Sequence, residues 1–279
     1  MKTRLFAFAA VALALTACTN DDEVVNKGPV AAVIHADISG AVATRAGGTA
    51  WDEGDCIGIT DSRYGYTNIP YKREGGKFEP VGAIIYFKDA IPSTFSAYYP
   101  YAENGGTLTA VTDAAAQQDR AAVDFLYASG AVADTKNPEV NFTDNTAAGG
   151  TDCSFRHSMS LITLTFEPGS GVDFTAVKPS AYTLSGLVLE GGFDTAAGTA
   201  EAAAGAQRPD LDMPLTGGAL TSSVILFPQT AASIGLAVTL DGNTYNAVLA
   251  VPEGELKAGN NYTYTVTVSN KSLSVGSAV

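Results

Sequence analysis

The sequence predicts an all-β protein built as two sandwich-like domains in tandem. Its segments are short, alternate apolar with polar residues, and are rich in Thr, Tyr, Phe and Val, which favour strands. Gly, Asn, Asp and Pro separate these segments, as is typical of turns. With 279 residues, the chain is long enough for two domains after a targeting segment has been removed.

The chain begins with a predicted secretory signal peptide over residues 1–17. Lys2 and Arg4 give it a positive start, and the apolar run over residues 5–15 is too short to span a bilayer permanently. The small residues directly before Cys18 match a bacterial lipobox, in which the thiol is acylated and becomes the new N-terminus. We therefore predict a lipoprotein precursor anchored through lipid on Cys18. Each buried acyl methylene contributes about 0.8 kcal/mol, so several chains make a durable anchor.

An acidic tether is predicted over residues 18–28. Its Thr-Asn-Asp-Asp-Glu stretch resembles the signal that takes some Gram-negative lipoproteins across the outer membrane to the cell surface; the alternative is a solvated linker. The whole chain has a net charge of −13. This acidity argues against nucleic acid or anionic phospholipid as a partner.

Residues 32–45 have the alternation of a half-buried strand. One face comprises Ala32, Ile34, Ala36, Ile38, Gly40 and Val42, and the other comprises His35, Asp37 and Ser39. The run ends at Arg45, and Ala46 and two glycines follow as a linker within reach of a trypsin-like protease. The pattern suggests a strand that completes a sheet in the precursor and leaves when the chain is cut. The alternative is an ordinary first strand followed by a loop.

Short predicted strands follow along the rest of the chain, with a break at residues 145–151. This stretch is small, flexible and without periodicity. We therefore predict one sandwich domain over residues 29–150 and a second over residues 151–279. The predicted strands lie within residues 51–59, 68–71, 77–79, 83–87, 94–101, 124–128, 139–142, 155–166, 182–189, 224–227, 234–240, 245–251 and 261–268.

Residues 261–268 show the most regular alternation. Their Tyr and Val side chains are predicted to face a core and their Thr side chains to face solvent, and a one-residue slip would invert all of them. Asp241-Gly242 predicts a hairpin between the two preceding strands. The Ala- and Gly-rich stretch at residues 196–205 predicts a loop rather than a helix.

The sequence contains no recognisable set of catalytic or metal-binding residues. Its two histidines, His35 and His157, have no companion at metal-ligand spacing, and HExxH, CxxC, GxSxG and P-loop motifs are absent. We therefore predict no enzyme activity, no cofactor and no metal. Export permits a disulfide between Cys56 and Cys153, and the alternative is two buried free thiols.

Several motifs, in this order, resemble those of the fimbrillin-like family. They are the lipobox ending at Cys18, Thr-Arg-Ala around Arg45, WDEGDCIGI at residues 51–59, FSAYYPY at 95–101, FRH at 155–157, SLITLTF at 160–166, LFPQ at 226–229 and AGNNYTYTVTV at 258–268. This family comprises lipoprotein precursors of the type V, protease-matured pili of Gram-negative gut and oral anaerobes. The resemblance implies two transthyretin-like β-sandwich domains, display at the outer membrane surface and assembly with other pilin subunits.

The resemblance also implies a cut by an arginine-specific protease between the first strand and the rest. On this sequence the cut falls between Arg45 and Ala46, so residues 18–45 would leave with their lipid. Removing large apolar side chains such as Ile34 and Ile38 exposes apolar surface whose burial contributes a free energy of about 1.5–3 kcal/mol per side chain. A strand from a neighbouring subunit can then fill the groove, giving a head-to-tail polymer.

One departure from the family pattern concerns the donor strand, which this family takes from a C-terminal extension. Here residues 269–279 follow the last strong strand, and Leu273, Val275 and Val279 keep an alternating apolar face. We predict a structural or accessory fimbrial subunit that serves adhesion, with stalk, tip and anchor positions all open. The alternative is a surface glycan-binding lipoprotein of a nutrient-uptake system, with tyrosines as its binding platform.

Overall fold

The structure is a computed structural model that describes residues 28–40, 50–270 and 272–279. These residues form 23 β-strands and five 3-10 helices of three residues each. The all-β prediction is therefore confirmed. Within these ranges, no helix is long and apolar enough to cross a membrane.

The strands are short, and tight turns join many of them. They are β1 (Val30–Ala31), β2 (Val33–Ala36), β3 (Cys56–Asp61), β4 (Ile69–Glu74), β5 (Lys77–Pro80), β6 (Tyr86–Phe87), β7 (Ser93–Tyr99), β8 (Thr107–Val111), β9 (Leu126–Ala133), β10 (Glu139–Phe142), β11 (Arg156–His157), β12 (Ser160–Pro168), β13 (Ala181–Ser185), β14 (Glu190–Asp194), β15 (Thr199–Ala202), β16 (Leu211–Pro214), β17 (Thr221–Leu226), β18 (Gln229–Thr230), β19 (Ser233–Leu240), β20 (Asn243–Ala250), β21 (Glu255–Leu256), β22 (Asn261–Ser269) and β23 (Ser272–Val275). The 3-10 helices are Ala116–Gln118, Arg120–Ala122, Thr146–Ala148, Thr216–Gly218 and Pro252–Gly254.

One eight-stranded sheet organises the N-terminal half, which we define as the described residues up to His157. Its strand order is β10–β2–β5–β4–β3–β7–β9–β11, and β1 pairs with β6 in a separate two-stranded sheet. The eight-stranded sheet is curled: β10 at one end contacts β9 near the other end. The curled sheet encloses an apolar core. Among its buried members are Ile34, Ile57, Ile59, Tyr71, Phe78, Phe95, Leu126, Val140, Phe142 and Phe155.

The C-terminal half, from Ser160 onward, is a sandwich of two four-stranded sheets. Their strand orders are β17–β12–β22–β23 and β16–β13–β19–β20, and β18 and β21 form a small additional sheet. Alternate side chains of each strand point inward, so the two sheets share one core. Leu164 and Tyr264 enter this core from the first sheet, and Leu184 and Leu236 enter it from the second.

Two predictions about strand register in the C-terminal half are confirmed. In β22 the residues at 262, 264, 266 and 268 are buried, whereas none of the threonines between them is fully buried. Asp241 and Gly242 join β19 to β20 with φ values of 49° and 72°. Positive φ at both positions is what a tight hairpin turn between twisted strands requires.

The loop predicted at residues 196–205 was partly wrong. Thr199–Ala202 forms β15, which pairs with β14. Alanine has a low preference for strands, but backbone pairing with a neighbouring strand overrides that local preference.

A three-stranded sheet and polar side chains join the two halves. β8 of the N-terminal half pairs with β14 of the C-terminal half. The Gln117 side chain accepts the Ile225 N–H and donates to the Ile225 carbonyl, both at 2.9 Å. Arg120 donates to the carbonyl and to the hydroxyl of Ser223. These bonds occupy the outer edge of β17, which is the last strand of its sheet, and they fix the halves against each other.

The chain passes from one half to the other between His157 and Ser160. Cys153 and Phe155 lie in the N-terminal core, and His157 pairs with Leu126 of β9. The division into domains over residues 29–150 and 151–279 stays a prediction. By strand pairing, the short stretch up to His157 goes with the N-terminal half.

Asp61 is a buried carboxylate surrounded by hydrogen-bond donors. It accepts the backbone N–H groups of Arg63, Tyr64 and Tyr66 at 3.0, 2.5 and 2.8 Å and the Ser93 hydroxyl at 2.9 Å. Burial by itself raises the pKa of Asp61, but the donors favour the charged form and outweigh burial, so its pKa lies below the ordinary value.

We expect Asp61→Asn to lower the free energy of unfolding at pH 7 by about 1.5–3 kcal/mol, because a charged acceptor strengthens these bonds. The folded-state pKa is depressed, so this stabilisation is fully present above the unfolded pKa of about 4 and is lost as the pH falls through the folded pKa. Urea unfolding should therefore separate variant and wild type more at pH 7 than at pH 3. Equal separation at both pH values would contradict the assignment.

Candidate functional site

The N-terminal strand has the two faces that its sequence predicts. Ile34, Ala36 and Ile38 are 5%, 8% and 7% exposed, and they belong to the N-terminal core. His35 and Asp37, between them, are exposed. Because side chains alternate along a strand, this segment covers the core with one face and meets solvent with the other.

β2 lies inside the eight-stranded sheet rather than at its edge. It runs parallel to β10, with residues 33–36 opposite residues 139–142, and antiparallel to β5. Just before it, β1 pairs with β6. Just after it, Ile38 bridges to Phe155, whose N–H donates to the Asp37 carbonyl at 2.9 Å. Residues 30–39 thus connect parts of the chain that are distant in sequence.

Aromatic rings form the core beneath this strand. Trp51 makes edge-to-face contacts with Phe78, Tyr99 and Phe155, at centroid separations of 5.3, 5.5 and 5.0 Å. Phe142 contacts Phe155 in the same manner at 5.7 Å. Such pairs contribute beyond their buried area. The same phenylalanines lie opposite the N-terminal strand. Phe78 is opposite Ile34, Phe142 is opposite Ala36, and Phe155 is opposite Ile38.

An open cleft lies beside the same strand. It has a volume of about 630 Å³ and is bordered by residues 32–37 on one side and residues 76–80 on the other. Tyr71, Arg73 and Thr143 complete its walls. The sheet is therefore incompletely closed between β2 and β5.

The predicted lipid and processing residues lie outside the described residues. Cys18 precedes residue 28, and Arg45 and Ala46 fall between Gly40 and Ala50. Their assignments as lipid anchor and cleavage site stay predictions. In sequence, β1 and β2 precede Arg45, and Trp51 follows Ala46.

Cys56 and Cys153 are both free thiols in the structure. Cys56 is half-buried in β3, and Cys153 is buried in the N-terminal core. Burial raises the pKa of the Cys56 thiol. The positive charge of Lys72 partly offsets this increase, and the negative charge of Asp55 adds to it. Of the two states that the sequence left open, the structure contains the free thiols.

His157 has a partner that sequence spacing did not indicate. Its Nδ1 lies 2.8 Å from Oδ1 of Asp124, and the two side chains are 3% and 0% exposed. Ser158, next to this histidine, donates its N–H to the Phe125 carbonyl at 2.8 Å. The Asp124–His157 pair therefore lies where the chain leaves the eight-stranded sheet. The two residues are far apart in sequence, and no local motif links them.

We next consider the described residues that a metal site or a glycan platform would use. No group of three His, Cys, Asp or Glu residues there could hold a metal ion. A glycan platform needs exposed aromatic faces, but many of the tyrosines are buried. The buried ones are Tyr71, Tyr98, Tyr99, Tyr182, Tyr262 and Tyr264.

The C-terminal segment lies along the outer edge of β22. β23 pairs antiparallel with it, and the Val279 N–H donates to the Thr263 carbonyl at 3.1 Å. Leu273 and Val275 are partly buried against the C-terminal core, whereas Val279 is 96% exposed. The alternating apolar face predicted for this segment is thus only partly covered.

Comparison with known proteins gives consistent results. The profile of the fimbrillin-like family matches residues 44–279. A Bacteroides uniformis protein described as fimbrium subunit Fim1C is 26% identical over 258 residues, covering 85% of this chain and 80% of that protein. A crystal structure of a cell adhesion protein from Bacteroides ovatus has a TM-score of 0.73 and 28% identity, covering 90% of this chain and 96% of the other.

A second cell adhesion protein, from Bacteroides uniformis, has the same fold. Its TM-score is 0.71 at 24% identity, and the match covers 90% of this chain and 96% of that one. The family profile alone spans more than half of the chain. The chain therefore belongs to the fimbrillin-like family.

Proposed function

We propose that this chain is the precursor of a structural or accessory subunit of a cell-surface fimbria that serves adhesion. Family membership and the similarity to a fimbrium subunit and to a cell adhesion protein support this role. The observation that carries the assembly mechanism is the position of β2 between β10 and β5. Removing an internal strand opens a slot with two free edges, which a strand from a neighbouring subunit can fill.

The proposed cycle begins with a lipid-anchored precursor. Lipid on Cys18 holds the chain in the outer membrane, and an arginine-specific protease cuts between Arg45 and Ala46. Residues 18–45 then leave with β1 and β2, while Trp51 stays with the mature chain. The role is structural, without catalysis.

The proposed donor is the C-terminal segment of a neighbouring subunit, residues 272–279. Its pairing with β22 must be given up before it enters another chain. That pairing consists of the four register pairs of β23 and of further backbone bonds from Gly276 and Val279 to β22. The exchange therefore replaces an edge pairing by an internal one. Repetition of the step gives a head-to-tail, open polymer. A chain that is not cut remains tethered and can act as an anchor.

Treatment of the exported chain with an arginine-specific protease tests this function. We expect a product whose N-terminal residue is Ala46 and which forms ladders in electrophoresis without heating. Arg45→Ala should remain uncut at this position and monomeric, because it lacks the basic residue that the protease recognises.

The matched control is Arg156→Ala, which removes another exposed arginine. Its side chain is 67% exposed and forms an ion pair with Asp152. This variant should still be cut before Ala46 and should still polymerise. A wild-type product that starts at Ala46 but stays monomeric would contradict the proposal that this chain is a polymer-forming subunit.

A further inference from the structure

β10 depends on the N-terminal strand for its place in the sheet. Among the described residues, β2 is the strand that hydrogen-bonds to β10, and no other does. The Val33 N–H donates to the Pro138 carbonyl and the Asp37 N–H to the Phe142 carbonyl, both at 2.9 Å. Loss of β2 therefore deprives β10 of its strand neighbour.

The same parallel ladder continues beyond β10. The Phe155 N–H donates to the Asp37 carbonyl at 2.9 Å, and the Ser39 N–H donates to the Phe155 carbonyl at 2.8 Å. We call residues 138–142 together with Phe155 the receiving edge. Val140, Phe142 and Phe155 are fully buried, so their side chains hold this edge against the core.

The other side of the slot is weaker. Within the described chain, β2 and β5 share the single register pair Ile34–Phe78. Pro80 has no N–H to donate, and the Gly76 N–H is already bonded to a carboxylate oxygen of Glu53 at 2.9 Å. The cleft of about 630 Å³ opens on this side. From residue 33 to residue 39 the backbone bonds are therefore concentrated on the receiving edge, whereas residues 30–32 bond to β6 and to the Ile85 carbonyl.

We propose that the receiving edge, rather than β5, is the principal docking edge for the strand that replaces β2, and that the incoming strand runs parallel to β10. This inference rests on the proposed removal of β2 and specifies how its replacement is recognised. The occupant is an extended segment of a second copy of this chain. The position opposite Phe142 must be small, because Ala36 occupies it in the precursor.

The C-terminal segment of a second copy has the side chains that this slot requires. Val275, Ser277 and Val279 repeat the large, small, large order of Ile34, Ala36 and Ile38 at the same spacing. Residues 272–279 also contain no charged side chain, so none has to be desolvated in the slot. The small middle residue fits beside Phe142.

A backbone N-methyl scan tests the proposal. The exported chain is cut after Arg45 with an arginine-specific protease and freed of its fragment, and binding of a synthetic peptide of residues 30–40 is then measured. Methylation of the Val33 or Asp37 nitrogen removes a donor to the receiving edge. We expect about a tenfold or greater loss of affinity from either.

The matched control is methylation of the Ala36 nitrogen, which alternation directs toward β5 and the cleft, and which should change affinity by less than about threefold. Hydrogen exchange gives a second measurement: amides at 139–142 should lose protection when the fragment leaves and regain it when the peptide binds. An equal or larger loss from the Ala36 methylation, or no peptide binding, would overturn the proposal.

These outcomes are separable from those of the proposed function. Polymer ladders without the expected methylation pattern overturn the receiving edge alone. The expected pattern in a chain that never polymerises supports the receiving edge and counts against the fimbrial role.

Discussion

Release of residues 30–40 is expected to lower the free energy of unfolding of the N-terminal half by about 3–6 kcal/mol. Ile34 and Ile38 are nearly fully buried, and each large aliphatic side chain contributes about 1.5–3 kcal/mol when buried. The lost backbone bonds to Pro138, Phe142 and Phe155 act in the same direction. The chain should therefore be cut and still folded, but only marginally stable until a new strand arrives.

Trp51 provides the measurement, since it is the single tryptophan in the chain. It packs against Phe78 and Phe155, the residues that pair with Ile34 and Ile38. Urea unfolding followed by tryptophan emission therefore reports on the N-terminal half.

The control is the nicked chain with its fragment still bound, which carries the same broken peptide bond. With the fragment in excess, it should be more stable than the chain freed of its fragment, because binding to the folded state stabilises by mass action. If the chain freed of its fragment were equally stable, β2 would not be an integral strand of the sheet, and the exchange mechanism would fail.

Trp51→Ala should destabilise the same half by about 3–5 kcal/mol, the range for truncating a large buried aromatic residue. The tryptophan is 8% exposed and fills the space between three other rings. Its removal leaves a cavity in the middle of the core. Trp51 lies after the proposed cut, so the loss should appear in the precursor and in the mature chain alike.

Trp51→Phe is the matched control, because it keeps an aromatic ring in the same position. Trp51→Phe should lower the free energy of unfolding by clearly less than Trp51→Ala does. Far-ultraviolet circular dichroism follows the urea unfolding of both variants, since neither retains tryptophan. A loss below about 1 kcal/mol for Trp51→Ala would mean that the aromatic contacts do not support this core.

Local alternation in the sequence predicted several features of the candidate site. The buried face of residues 34–38 follows from the period of two, as does the register of residues 262–268, because successive side chains of a strand point to opposite sides. Asp241-Gly242 predicted a tight hairpin for a similarly local reason, namely the positive φ that both positions adopt.

Partners distant in sequence were not predictable in the same way. Nothing in residues 33–36 identifies β10, more than a hundred positions later, as their neighbour, since many strands of this chain have the same alternation. In the same way, no local pattern in the sequence predicts that Asp124 contacts His157 or that Gln117 bonds to Ile225. The short strand β15 was missed because its pairing with β14, rather than its alanine-rich composition, makes it a strand.

By itself, the sequence determined the all-β class, the faces of the main strands, the signal-peptide and cleavage-site expectations, and the resemblance to the fimbrillin-like family. Only the tertiary structure decided that β2 is internal, that β10 lies on its one side and a partly open cleft on its other, and that the C-terminal segment lies on β22. The physical reason is that alternation encodes which face of a strand is buried. Strand order depends instead on how distant edges and side chains fit together around a common core.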